Sequence, residues 1–432
     1  MEFYSTNNHH LRVSLKQAVV EGLAADGGLY MPVSVPSFSP DFFNQLEGLS
    51  FQELSYQIAK KFIDDDLSEE VLLKIIQHTV QFDSPLVELE PDVYSLELFH
   101  GPTLAFKDFG ARFLSGLLGH FAQQQSREIT ILVATSGDTG SAVANGFFNV
   151  QGTKVVVLYP SGKVSEVQEK QFATLGGNIT ALEVDGTFDD CQRLVKQAFL
   201  DQELRQKCFL ASANSINIAR LIPQTFYYFR AFAQLQRGHN KVVFAVPSGN
   251  FGNLTAGLMA MRMGLPISRF IAATNVNDIV PVFLQTKQFS PRPSQQTISN
   301  AMDVGNPSNF ARMIDLYEND FDALTKDVIG CRFSDEETMR AMKDVFLRTG
   351  YILDPHGAIG YSGLKKYREK NSEKVIGVFL ETAHPGKFHE TVEHAIQQKV
   401  DLPERLLEFT GKNKVSIRMN NDLGQLRAIL LN

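Results

Sequence analysis

A lysine hemmed in by apolar residues, Lys107 in the run His100-Gly-Pro-Thr-Leu-Ala-Phe-Lys-Asp-Phe-Gly110, is the group in this chain best equipped for covalent chemistry. Leu104, Ala105, Phe106 and Phe109 surround it with hydrocarbon. Burial disfavours an ammonium, so the amine is pushed toward its neutral, nucleophilic form. Lowering a lysine from ~10.4 to near neutrality takes roughly 4–5 kcal/mol, which desolvation can supply. Taken alone, the run fits a solvated lysine at a helix start better, because most lysines stay in water.

Three more loops sit, like that of Lys107, at the carboxyl ends of predicted strands, where open α/β sheets bind ligands. Thr135-Ser-Gly-Asp-Thr-Gly140 follows an apolar strand and precedes a helix, with Ser136, Asp138 and Thr139 as its polar members. Ser248-Gly-Asn-Phe-Gly-Asn253 has the same placement. There Gly249 and Gly252 let backbone N–H groups approach a dianion, with Asn250, Phe251 and Asn253 between and after them. Charge-assisted hydrogen bonds of ~1.5–3 kcal/mol each outweigh a helix-dipole contribution of ~0.3–1 kcal/mol. The loop lacks the Gly-Lys-Ser/Thr of a P-loop and the G-x-G-x-x-G spacing of a dinucleotide site, and a plain strand–helix turn explains it about as well. Glu381-Thr-Ala-His-Pro385 closes the set, with Thr382 as its hydroxyl. Asn214 to Arg220, including Ser215 and Asn217, begins a further helix, where Asn214 or Ser215 serves as a cap in the simplest reading. Lys163, in Pro160-Ser-Gly-Lys163, is read first as a surface-loop cation. His100, His356 and His384 lack metal-ligand spacing, and no metal is assigned.

These loops need elements to hold them. From about Tyr94 short apolar runs alternate with helical patterns: Ile129–Ala134, Val155–Tyr159, Ile179–Val184, Phe209–Ala211, Val242–Val246, Ile271–Thr274 and Val375–Leu380 read as strands. Continuous apolar strands separated by helices imply parallel sheets covered on both faces, which bind ligands at the carboxyl ends of their strands. The first ninety or so residues read as a separate, mostly helical piece, with Val13–Glu21, Phe51–Phe62 and Ser68–Gln77 as helices. The Asn-, Pro-, Ser- and Gln-rich stretch 275–309 reads as a long ordered loop. The expected organisation is 1–92 as an N-terminal domain, 93–128 with 222–432 as a large α/β domain, and 129–221 as a small α/β domain on the substrate side.

With 432 residues, 44% hydrophobic and 21% charged, the chain suits a globular protein of several domains. A net charge of −7 disfavours nucleic acid as a partner. Cys191, Cys208 and Cys331 lie far apart and form no CxxC pair, which points to a reducing, cytoplasmic compartment. No stretch approaches the ~18 apolar residues of a membrane span, and no obligate protein partner is indicated.

In order along the chain, Val13–Pro32, His100–Gly110, Ala134–Gly140, Gly176–Asn178, Asn214–Arg220, Pro247–Asn253, Asn300–Asp303 and Thr382–Phe388 resemble the threonine synthase family of fold-type II pyridoxal-phosphate enzymes. The likeness runs from about Tyr4 to Leu407, and it is to the bacterial and fungal-type branch. It implies a tryptophan synthase β-like fold: two parallel or mixed open sheets covered by helices, plus the N-terminal domain. It implies pyridoxal 5'-phosphate as cofactor, condensed with Lys107, its phosphate held by Ser248–Asn253, its ring nitrogen near Thr382 and its phenolic oxygen near Asp138. The implied reaction is O-phospho-L-homoserine plus water to L-threonine plus phosphate. Thr139, Ser215 and Arg220, with Asn217 nearby and Lys163 as an outlying candidate, are implied for the substrate phosphate, and Ser136 for its carboxylate. A threonine or serine dehydratase is the nearest rival, needing no second anion site; a non-catalytic relative and a nucleotide-binding protein follow.

Overall fold

The computed structural model describes residues 1–63, 66–124, 128–235, 241–371 and 373–431. Two open sheets dominate. The larger runs, edge to edge, Val328–Arg332, Ile267–Thr274, Lys241–Pro247, Val375–Glu381, Val93–Glu97 and Leu86–Glu90. All neighbours are parallel except the last pair, which is antiparallel. The smaller, wholly parallel sheet runs Ile417–Asn420, Ile179–Asp185, Thr153–Pro160, Ile129–Ala134 and Phe209–Ser212. Strands such as Ile129–Ala134 and Val375–Glu381 are buried along their whole length, as helices on both faces require.

Each sheet has one point where the order of strands reverses. In the larger sheet, Lys241–Pro247 is followed by strands laid to one side, while Val375–Glu381 returns on the other. In the smaller, Ile129–Ala134 is followed by Thr153–Pro160 on one side, and Phe209–Ser212 returns on the other. Crevices at such reversals are where open α/β sheets take their ligands, because the adjacent loops diverge there. The loops after these four strands are 248–253, 382–385, 135–140 and 213–220.

Three features depart from expectation. The N-terminal piece carries an antiparallel sheet of Asn8–Ser14, Glu2–Ser5 and Tyr30–Pro32, besides its helices Leu15–Glu21, Phe51–Ile63 and Glu69–Thr79. Ser14 ends a strand and then caps the first helix through its hydroxyl, so the helix starts later than Val13. Within 275–309 the segment Ile279–Thr286 is helical, burying Ile279, Val280, Pro281 and Leu284. Finally, the sequence grouped all of 222–432 with the large sheet, yet Ile417–Asn420 pairs with Ile179–Asp185 and Leu423–Leu431 packs beside it. Met419, Leu426 and Leu430 complete the apolar core of the small sheet, and this holds the chain end there.

Candidate active site

Lys107 is the first residue of the helix Lys107–Gln123. The loop before it is tied to the loop after Glu381: Phe106 N–H donates to Thr382 O at 2.9 Å and His384 N–H to Leu104 O at 3.0 Å. Leu104 takes a left-handed conformation to allow this, with φ 58°. Asp108 pins the turn from the other side, accepting from Thr103 N–H at 2.8 Å and Thr103 Oγ1 at 2.6 Å. The lysine and Thr382 are therefore fixed relative to each other by main chain.

Both reversals open onto one cavity of about 160 Å³. Lys107, Thr382 and every residue from Pro247 to Asn253 line it from the large sheet. Ser136, Thr139, Asn214, Ser215 and Arg220 line it from the small sheet. Gly249 is required by close packing: a Cβ there would lie 2.7 Å from Met302 Cα and 2.8 Å from Ala301 O. Phe251, left-handed at φ 61°, turns the chain into the helix Gly252–Arg262, whose first two residues line the cavity. Gly110 has a matching role on the other wall, since a Cβ there would stand 3.0 Å from Arg220 O.

The two halves are laced together by side chains. Asn250 Nδ2 donates to Ser215 Oγ, and Asn250 Oδ1 accepts from Ser308 N–H at 2.6 Å. Arg312, wholly buried, donates to the carbonyls of Tyr30, Ser215 and Ile216 and to Asn309 Oδ1. Nothing in the sequence singled out Arg312, because its main-chain acceptors come from two distant segments, Tyr30 and Ser215–Ile216.

Burial dominates the electrostatics. The Lys107 side chain is 14% exposed. Loss of water pushes its amine down to about 8; Asp138 opposes this, and Lys387 and Arg220 add to it. Arg220 is lowered to about 10 by burial and stays charged at neutral pH; its Nη1 donates to Ala213 O at 2.6 Å. Asp138 heads the helix Asp138–Phe147 and does not line the cavity. Its Oδ2 faces Lys107 Nζ at 3.8 Å, and its Oδ1 is met by Lys387 Nζ at 2.6 Å and Gln168 Nε2 at 2.8 Å. Burial alone raises its carboxyl, but the two lysines outweigh that and hold it well below the usual carboxylate range.

Besides Asp138, two residues picked out by sequence stand apart from the cavity. Lys163 is exposed and does not line the cavity. Asn217 is fully buried; its Nδ2 donates to Val19 O and Ser212 O and its Oδ1 caps the helix Ile218–Leu221, so it anchors the loop without facing the cavity. Lys196, Gln192 and His356 line the cavity and were not anticipated as site residues.

The pyridoxal-phosphate dependent enzyme family matches residues 79–381, and families describing the threonine synthase N terminus and C-terminal region match 2–80 and 357–430. A threonine synthase from Escherichia coli is 46% identical over 433 residues, with all of both chains covered. The chain belongs to the threonine synthase family. The crystal structure of Escherichia coli threonine synthase superposes with TM-score 0.94 over 100% of both chains. That of pyridoxal-phosphate-bound threonine synthase from Brucella melitensis, at 34% identity, gives 0.92 over 100% of this chain and 99% of the other. The fold is that of the type II pyridoxal-phosphate enzymes, and pyridoxal phosphate is the cofactor. The cavity fits that group. Among the described residues Asn253 Nδ2 and Arg220 Nε are buried without an acceptor, one beside each loop suited to an anion. Two unspent donors in one cavity match a cofactor phosphate and a second, separate anion.

Proposed function

We propose that this protein converts O-phospho-L-homoserine and water to L-threonine and phosphate, with the site residues in the roles that follow. The observation that supports this best is the pairing of two loops suited to anions across one cavity, with a largely buried lysine lining the same cavity. A dehydratase acting on threonine or serine has no use for the second loop.

Ser248, Gly249, Asn250, Phe251, Gly252 and Asn253 would hold the cofactor phosphate, and Thr382 would stand by the ring nitrogen. A hydroxyl at that position favours a protonated ring less than a carboxylate would. When bound, pyridoxal phosphate supplies an aldehyde for Lys107 and a conjugated ring that accepts electron density from the substrate. Lys107 would be a general base for the substrate's Cα proton and, once protonated, a proton donor; an amine near 8 suits both duties at neutral pH. Arg220, with Thr139 and Ser215, grips the phosphate that leaves Cγ, and its planar fork fits two phosphate oxygens. Ser136 and the loop main chain hold the carboxylate. Lys196 stands at the cavity wall as a further cation for the same phosphate. The net change moves no electrons off the substrate: Cβ gives up a proton and takes the hydroxyl of water, Cγ exchanges phosphate for a proton, and the remaining proton of water leaves with the phosphate.

No helix among the described residues is long and apolar enough to cross a membrane. Three free cysteines support a reducing, cytoplasmic setting for a biosynthetic enzyme. The deciding assay incubates purified protein with O-phospho-L-homoserine and, separately, with threonine. Equimolar phosphate and threonine from the first supports the reading; ammonia and a keto acid from the second, with no phosphate from the first, refutes it.

A further inference from the structure

Lys387 has no exposed side-chain surface. It belongs to the turn Pro385–Phe388 beyond the Thr382 loop, whereas Asp138 begins a helix of the small sheet. Its ammonium donates to Thr103 O at 2.8 Å and pairs with Asp138 Oδ1 at 2.6 Å. An unpaired ammonium at that depth is prohibitively costly, so the carboxylate is a structural necessity for Lys387. The converse matters for the chemistry. Oδ1 already meets two donors, Lys387 and Gln168, and only Oδ2 is turned to Lys107, at a separation beyond a direct hydrogen bond.

We propose that Lys387 is a positioning residue that acts through Asp138: it takes up the carboxylate's charge and repels a proton on Lys107, leaving the reactive amine beside an anion it cannot fully claim. A carboxylate facing a lysine unaided would trap it as the ammonium, which cannot attack an aldehyde or take a proton. The second cation removes that trap. The arrangement also answers how an acidic residue can stand beside a cofactor that carries its own oxygens, since the pair Lys387–Asp138 is neutral as a whole. Lys387 does not line the cavity, so its effect passes through its partner. The remaining charges facing Lys107 are Arg220 and Asp354. Asp108, on the same helix as Lys107, is held by Thr103 and lies near Lys387, Arg112 and Arg220. His384 lies near Lys387 and is held neutral by burial. The inference rests on the reading of Lys107 as the reactive amine.

The experiment titrates Lys107 in three variants: Lys387→Met, Asp138→Asn, and both together. The full chain without cofactor is trace-labelled with acetic anhydride from pH 6 to 11, and the Lys107 peptide is quantified by mass. Each acylation consumes a neutral amine and releases acetate, so the midpoint reports the lysine's proton. Lys387→Met should raise the midpoint by about one unit or more, and Asp138→Asn should lower it. The double variant, which removes the buried pair whole and so spares the fold an orphaned charge, should fall between the two. In the cofactor-loaded protein, the pH at which visible absorbance changes should move in the same order. A purely structural Lys387 would alter the urea midpoint and leave the titrations in place. An unmoved or lowered Lys107 midpoint in Lys387→Met, or a double variant matching Lys387→Met, overturns the proposal. These readouts need no phosphohomoserine, so a negative turnover assay on the unaltered protein would refute the proposed reaction while leaving the midpoints to decide this point.

Discussion

Arg220 and Glu381 carry the sharpest consequences of burial for single residues. Arg220 is 3% exposed, and its Nε has no acceptor among the described residues, which suits the anion-binding role proposed for it. Arg220→Met should cost about 1.5–3 kcal/mol of charge-assisted bonding, hence roughly 10- to 100-fold in kcat/KM for phosphohomoserine. The absorbance of bound cofactor should stay as in the parent; loss of that absorbance would place Arg220 at the cofactor instead. Glu381 ends its strand inside the protein, with Oε1 accepting from Asp354 N–H and no exposure. Burial, then the charge of Asp354, raises its carboxyl well above the ordinary value. The unfolded chain releases that proton near 4.5 while the folded one keeps it. The unfolded state therefore binds fewer protons, and stability present below about pH 4.5 is lost as pH rises toward the folded value. Glu381→Gln keeps an acceptor and removes the titration. Its urea midpoint should fall less between pH 5 and pH 8 than the parent's, by roughly 1.4 kcal/mol in stability for each unit of upward shift abolished. An unchanged pH slope would show that Glu381 is ionised in place.

At the scale of elements, the loops do their work through close main-chain packing, and glycine is the measure of it. Gly249→Ala must push Met302 and Ala301 away, because nothing flexible stands in the way of the new Cβ. Overpacking of this kind costs about 1–3 kcal/mol. The loop that moves is the one proposed to hold the cofactor phosphate, so cofactor affinity should fall at least tenfold, measured by equilibrium dialysis, with far-UV dichroism unchanged. How much of this was legible in the sequence follows the same division. Ile129–Ala134, Val242–Val246 and Val375–Leu380 were readable because central strands are apolar throughout, and the glycine loops after them were readable because a strand and a helix bracket them. Leu86–Glu90, Val328–Arg332 and Ile417–Asn420 were not. They sit at sheet edges; Leu86–Glu90 and Ile417–Asn420 mix apolar with charged or polar residues, Val328–Arg332 carries a glycine and ends in arginine, and pairing through main chain leaves little mark on side-chain type. Ile279–Thr286 was hidden by Pro281 and its Asn- and Gln-rich flanks, although proline is tolerated in a first helical turn. Lys387 escaped notice for a different reason. Its partner lies on another sheet, and neither residue has a local pattern that requires the other.

For the whole molecule, the decisive feature is that the chain ends by returning to the small sheet. After leaving the large sheet, it passes Leu402 and Leu406, which pack on Leu104 of the lysine loop and Val167 of the small sheet's helix Glu166–Ala173. Arg405 Nη1 donates to the carbonyls of His100 and Gly101 in the lysine loop. Lys170 then reaches Thr410 O, and Lys414 pairs with Glu169 and Glu183 before the final strand joins the sheet. One segment thus touches the loop that aims Lys107 and the sheet that carries the proposed substrate-phosphate site. Leu406 is fully buried at the junction, so Leu406→Ala removes three carbons from a contact shared by both halves. The transfer and cavity costs together come to about 2–5 kcal/mol, read as a lower urea midpoint. If the segment serves only to close the small sheet, turnover per folded molecule will be unaffected. If it also holds the two halves in register, kcat will fall while the cofactor's affinity, set by loops of the large sheet, is unchanged. The second outcome is expected, because Leu406 touches Leu104, whose left-handed turn sets the direction of the lysine.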